Sequence, residues 1–163
     1  MKLFALLILL AAPASAQAPY DSYMNGVPEC LASGDNACIG NGAAACFEGA
    51  PDGETTVGMM SCLLAERDAW DTLLNAEYQS ARAAAATMDD AERDQSPEFA
   101  VRADRLREAQ RAWIAFRDTN CAMSYAVYGA GSMRQISGAD CQMQMTAERT
   151  IQLRSLRQML TEG

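Results

Sequence analysis

The side chains with the greatest chemical capacity in this sequence are six cysteines, Cys30, Cys38, Cys46, Cys62, Cys121 and Cys141. An even set of thiols can close three disulfides in an oxidising compartment, or hold zinc as thiolates. Spacing argues against zinc. The intervals are 7, 7, 15, 58 and 19 residues, with no C-x2–4-C pair and no histidine anywhere to complete a site. The missing histidine also removes the general base of serine and cysteine triads. Paired carboxylates remain, since Glu66, Asp68 and Asp71 could be set against a glycosidic bond. They share one helix surface with no expected cleft, however, and such clusters read as a solvated face. The expectation is a binding protein with no catalytic residues, no metal and no cofactor.

A second set consists of polar residues inside otherwise apolar stripes: Glu66, Asn75, Tyr78, Gln110 and Arg117, with Trp113 among them. A buried amide or charge is costly unless paired, so these side chains are expected to form a satisfied core network, with Glu66 as the partner of Arg117. A carboxylate, an arginine, amides and a phenol could equally receive a sugar or a small acid, and spacing does not decide between the two.

The elements that must position these residues follow from composition and periodicity. Residues 1–16 carry Lys2, an apolar run from Leu3 to Ala12 and the small-x-small triplet Ala14-Ser15-Ala16, which together predict a signal peptide cleaved after Ala16. No cysteine follows that point, so no lipid anchor is expected, and no later run is long and apolar enough to span a bilayer. Residues 17–54 form a Gly-, Pro-, Asn- and Asp-rich leader with three cysteines, in which short helices are expected near Tyr20 to Met24 and Asp35 to Phe47. Residues 55–163 change to Ala, Leu, Met, Glu, Gln and Arg in three long periodic runs.

The first run predicts a helix capped by Thr55 or Thr56 and ending near Met88, with Met60, Leu63, Trp70, Leu74, Tyr78, Ala81 and Ala85 on one face. The second is expected to start at Ser96-Pro97-Glu98 and carry Phe99, Ala103, Leu106, Gln110, Trp113, Arg117 and Cys121 to about Gly129. A loop from Tyr128 to Gly138, with Ser132, Met133 and Arg134 at its tip, leads to a third helix striped with Cys141, Met145, Gln152, Leu156 and Leu160. The fold class is therefore all-α, an antiparallel bundle of three long helices with a disulfide-stapled leader. Folding the helices back on one another sets Trp70 level with Trp113, and brings Cys62, Cys121 and Cys141 to one end. That favours a Cys121–Cys141 bridge and a link from Cys62 to a leader cysteine. Cys38–Cys46 is disfavoured if its segment is helical, because eight residues then span ~12 Å.

The run Cys62-x3-Glu66, Asp71-x2-Leu74-Asn75-x2-Tyr78, the block Q-R-x-W-I-x-F-R-D-x-x-C from Gln110 to Cys121, then Gly131-Ser132, Cys141 and Thr146-x2-Arg149-x3-Leu153 resembles the LprI-like lysozyme-inhibitor family, also described as a domain of unknown function. The resemblance covers roughly Cys62 to Leu156. It implies a small exported helical bacterial protein and, for the founding type, inhibition of lysozyme. The founding type looks like a lipoprotein, whereas no membrane tether is expected here.

Charge narrows the partners. The chain has 13 basic and 21 acidic residues, and loss of Lys2 leaves 12 against 21, a formal −9. Such a surface repels phosphate backbones and anionic lipid, so nucleic acid and membrane surfaces are excluded as targets. A cationic lysozyme in the periplasm or outside the cell fits, with the loop at Ser132, Met133 and Arg134 as the contact expected to enter its cleft. The other reading is a cell-envelope binding or scaffold module with a different partner.

Overall fold

The computed structural model describes residues 19–162. The expected signal peptide and its cleavage point lie outside them. The described residues are helical, with no strand among them, and the order is α1 (Val27–Ser33), α2 (Asn41–Gly49), α3 (Thr56–Glu92), α4 (Arg102–Ala126) and α5 (Met133–Glu162), with 3-10 turns at Asp21–Gly26 and Asn36–Cys38. None of these helices is long and apolar enough to cross a membrane.

α3 begins where Thr55 Oγ1 accepts the Gly58 N–H at 3.0 Å. At Gly58 a Cβ would lie 1.9 Å from the Asp52 carbonyl oxygen, so only glycine lets the preceding turn fold against the new helix. Its 37 residues bury Cys62, Leu63, Glu66, Trp70, Leu74, Ala81, Ala85 and Asp89, mostly at steps of three and four. α5 runs parallel to α3. The register is fixed by Arg67 donating to Gln142 (3.1 Å), Thr150 donating to the Trp70 carbonyl (3.3 Å) and an Arg157–Glu77 ion pair (2.6 Å). α4 runs antiparallel to both. Two clusters of buried side chains result, one joining the leader to Trp70 and Met143, the other built on Leu74, Ala81, Leu106 and Leu153.

Several expectations are corrected. α4 does not start at Ser96-Pro97: residues 96–100 turn and then break at Val101 (φ −131°, ψ 7°), and the helix begins at Arg102. The cap comes from the preceding helix, where Asp89 oxygens accept the N–H groups of Arg102 (3.0 Å) and Ala103 (2.9 Å). A carboxylate delivered by tertiary structure outcompetes the local Ser-Pro signal. α4 ends at Ala126, and the connection from Val127 to Ser132 is short because α5 starts at Met133. The α5 stripe is also displaced. The side packed on α3 is Ala139, Met143, Thr146, Ala147, Thr150 and Leu153, while Gln152 is exposed and Cys141 and Met145 turn toward α4. Trp70 and Trp113 stand at one height, since Thr150 of α5 donates to the Trp70 carbonyl while the adjacent Arg149 lies over the Trp113 ring, although the two side chains join different clusters.

The leader folds as two short helices. α1 was not anticipated; it carries Pro28 in its first turn and ends at Gly34 (φ 69°). The helix expected from Asp35 is interrupted at Ile39-Gly40, where Gly40 takes φ 91°, and α2 starts only at Asn41. Three disulfides, Cys30–Cys38, Cys46–Cys62 and Cys121–Cys141, have Cα separations of 5.7, 5.7 and 5.4 Å, within the range a relaxed bridge spans. The second ties the leader to α3, and Arg154 of α5 adds a hydrogen bond to the Leu31 carbonyl.

Candidate functional site

Glu66 does not pair with Arg117. Its carboxylate is buried (1% exposed) and accepts the backbone N–H groups of Gly40 (2.8 Å) and Ala43 (2.7 Å) and the Trp70 indole N–H (3.1 Å). Those backbone donors are orphans at the N-terminus of α2, so Glu66 is the cap that docks the leader on α3. With these acceptor positions filled, the residue serves the fold.

The other five polar candidates come together in a groove between α3 and α4 of about 370 Å³. Asn75 and Tyr78 line one wall, and Gln110, Trp113 and Arg117 the other. They do not form a closed core network. Asn75 is exposed and donates to the Asp71 carboxylate (3.1 Å). Gln110 is buried and accepts from Arg149 Nε at 3.0 Å. Arg117 binds Asp118 (2.9 Å) and lies over the Trp113 ring at 5.1 Å, with Arg149 also over that ring at 5.8 Å. Burial pushes the Arg149 guanidinium below the usual arginine range. Arg82, Arg107 and Arg111 line the same groove and were not singled out from the sequence, because arginines on a helix surface look like ordinary solvated charge.

The third region is the corner where α4 meets α5. Ser132 sits in the turn, but Met133 and Arg134 are in the first turn of α5, so the expected flexible loop to Gly138 is instead a short, braced connection. Arg134 donates to the Gly129 carbonyl (3.3 Å) and stacks over Tyr125 at 5.5 Å, and the Cys121–Cys141 disulfide clamps the two helices just behind. Sequence reasoning missed a second stripe on α4. Phe116, Met123 and Val127 are 61%, 63% and 65% exposed, and they recur at helical spacing about 100° around from the inward-facing positions Arg117 and Cys121. Tyr128 and Met133 extend the stripe around the corner. The signal was available, since residues 119–139 contain a single charged side chain, Arg134.

These features define a small, disulfide-stapled helical protein with an apolar corner and an arginine-lined groove. Among the described residues there is no grouping of three or more metal-binding side chains. A family model described as "Lysozyme inhibitor LprI" matches residues 46–153, and the chain belongs to that family. The match begins at Cys46, so it takes in the end of α2 and two of the three bridges but not Cys30–Cys38. The chain is also similar to an uncharacterised protein of Rhizobium meliloti (strain 1021), 32% identical over 109 residues, which span 65% of this chain and 78% of that protein. No solved structure matches. Disulfides and family together point to an extracytoplasmic protein.

Proposed function

We propose that this protein is exported, freed of its signal peptide after Ala16, and acts in the periplasm or outside the cell as a non-catalytic inhibitor that binds a lysozyme. The observation that carries this reading is the corner. Met123, Val127, Tyr128 and Met133 are exposed where α4 ends and α5 begins, with Phe116 exposed farther back along α4, and large apolar side chains left in water at one end of a small domain suit a protein contact. The disulfide and the Arg134 contacts hold it rigid, which lowers the entropic cost of docking. The acidic remainder of the chain complements the positive surface common among lysozymes, raising the encounter rate while the apolar corner supplies the contact.

The test is lysis of bacterial walls by lysozyme in the presence of the disulfide-intact protein at low and physiological salt. Inhibition is expected at both, weaker at the higher salt as steering is screened. The double substitution Val127→Asp and Met133→Asp, at exposed positions where the fold should be indifferent, is expected to weaken inhibition at least tenfold. Unchanged lysis at micromolar wild-type protein and low salt sinks the reading.

A further inference from the structure

We propose that the groove between α3 and α4 is a binding site for a small polyanion, held through two or more carboxylate or phosphate groups, with Arg82 and Arg111 as the principal ligands. The charge pattern is the first argument. The chain carries a formal −8, yet this one groove collects Arg82, Arg107, Arg111 and Arg117 against a single lining carboxylate, Asp71, which already accepts from Asn75. Arg107 and Arg117 are ion-paired with Asp104 and Asp118, but Arg82 and Arg111 line the groove of about 370 Å³ without a carboxylate partner, and an anion between them turns their mutual repulsion into attraction.

Partnering is the second argument. Elsewhere most arginines are spent on neighbours: Arg93 on Asp90, Arg102 on Asp89 and Glu92, Arg105 on Glu108, Arg157 on Glu77. Among the described residues no carboxylate comes within ion-pair distance of Arg82 or Arg111, and neither side chain makes a hydrogen bond. Arg107 reaches Asp104 through one terminal nitrogen (3.1 Å), but its buried Nε has no acceptor. A planar fork with free donors on each wall is the arrangement that takes an oxyanion side-on.

Preorganisation is the third. Trp113, with Arg117 and Arg149 over its ring, and Gln110, occupied by Arg149, form a wall whose rotamers are already fixed. The volume suits a ligand the size of a sugar acid or a short polyphosphate. The site is distinct from the apolar corner, so it stands or falls separately from lysozyme inhibition.

The experiment is titration of the full disulfide-intact protein with citrate and, separately, pyrophosphate, at ionic strength held constant with sodium chloride. It is followed by calorimetry and by NMR of the arginine Nε–H signals. Saturable one-site binding of at least one probe is expected, with shifts confined to the groove arginines. The double variant Arg82→Gln and Arg111→Gln should weaken binding at least tenfold, whereas Arg93→Gln with Arg105→Gln, outside the groove, should leave it within twofold. Binding of citrate alone assigns the ligand to carboxylates, of pyrophosphate alone to phosphates, and of both to oxyanions generally. Absence of saturation with either probe at millimolar concentration overturns the proposal, as does equal weakening in the two double variants. Should the groove variant not fold, shifts spread over arginines outside the groove in the wild-type protein would overturn it equally.

Discussion

One face of α3 meets α5 and another meets α4, and the two seams are built from opposite materials. Against α3, α5 buries Ala139, Met143, Thr146, Ala147, Thr150 and Leu153, a strip in which four of six side chains are small. The threonine hydroxyls are satisfied locally, Thr146 by the Gln142 carbonyl (2.7 Å) and Thr150 by the Thr146 carbonyl (2.8 Å), so neither brings an unpaired hydroxyl into the seam. α4 buries only Leu106, Gln110 and Cys121. It is pinned at its start by Asp89 and near its end by Cys121–Cys141, while its middle faces α3 across the arginine-lined groove. Stability should therefore concentrate in the first seam and recognition in the second.

The largest expected effect compares the two tryptophans. Trp70 is fully buried, so Trp70→Ala should cost about 3–5 kcal/mol of unfolding free energy in urea titrations. Trp113 is half-buried on the groove wall, and Trp113→Ala should cost about half as much, because less apolar area is removed from contact. Equal losses would show that the groove is as tightly packed as the α3–α5 seam and break the comparison.

A smaller effect runs in the opposite steric direction. Ala147 is fully buried where α5 meets α3, so Ala147→Leu forces the helices apart and should cost about 1–3 kcal/mol. Ala112 lies exposed on α4, and Ala112→Leu should stay within about 0.5 kcal/mol. A tolerated Ala147→Leu would mean that small residues are not what closes the seam.

The same contrast explains what could be read from sequence. The helical class and the long α3 follow from periodicity and from Thr55, because a local cap and a stripe of large side chains act within one segment. The seam face of α5 was misplaced because the residues that make it close are small, and an apolar stripe read by size selects Cys141, Met145, Leu156 and Leu160 instead. Glu66 was recognised as buried but matched to Arg117, since its acceptors' true donors are backbone N–H groups of α2, invisible to side-chain pairing. The groove residues Asn75, Tyr78, Gln110, Trp113 and Arg117 were identified as a group, but only the lateral gap between helices turns a core network into an open site. The apolar corner was overlooked because a stripe facing solvent looks the same as one facing a core until the third helix is placed.

The smallest effect concerns the pin at the start of α4. Burial alone would raise the Asp89 pKa, but the N–H groups of Ala103 and Arg102 and the Arg102 guanidinium hold it below the ordinary carboxylate value. In the unfolded chain Asp89 returns to about 3.9, so between the two values the unfolded state binds more protons and stability rises with pH. The contribution is complete above the unfolded value and is lost as pH falls through the folded one. Asp89→Asn keeps one acceptor for the cap but has no charge to titrate. It should be about 1 kcal/mol less stable than wild type at pH 7, and the gap should shrink as pH falls below about 4. Parallel stability curves for the two proteins from pH 7 to pH 2 would show that α4 is not held by this carboxylate. The disulfide, the Gln110–Arg149 hydrogen bond and buried Leu106 would then be what holds the groove's second wall in place.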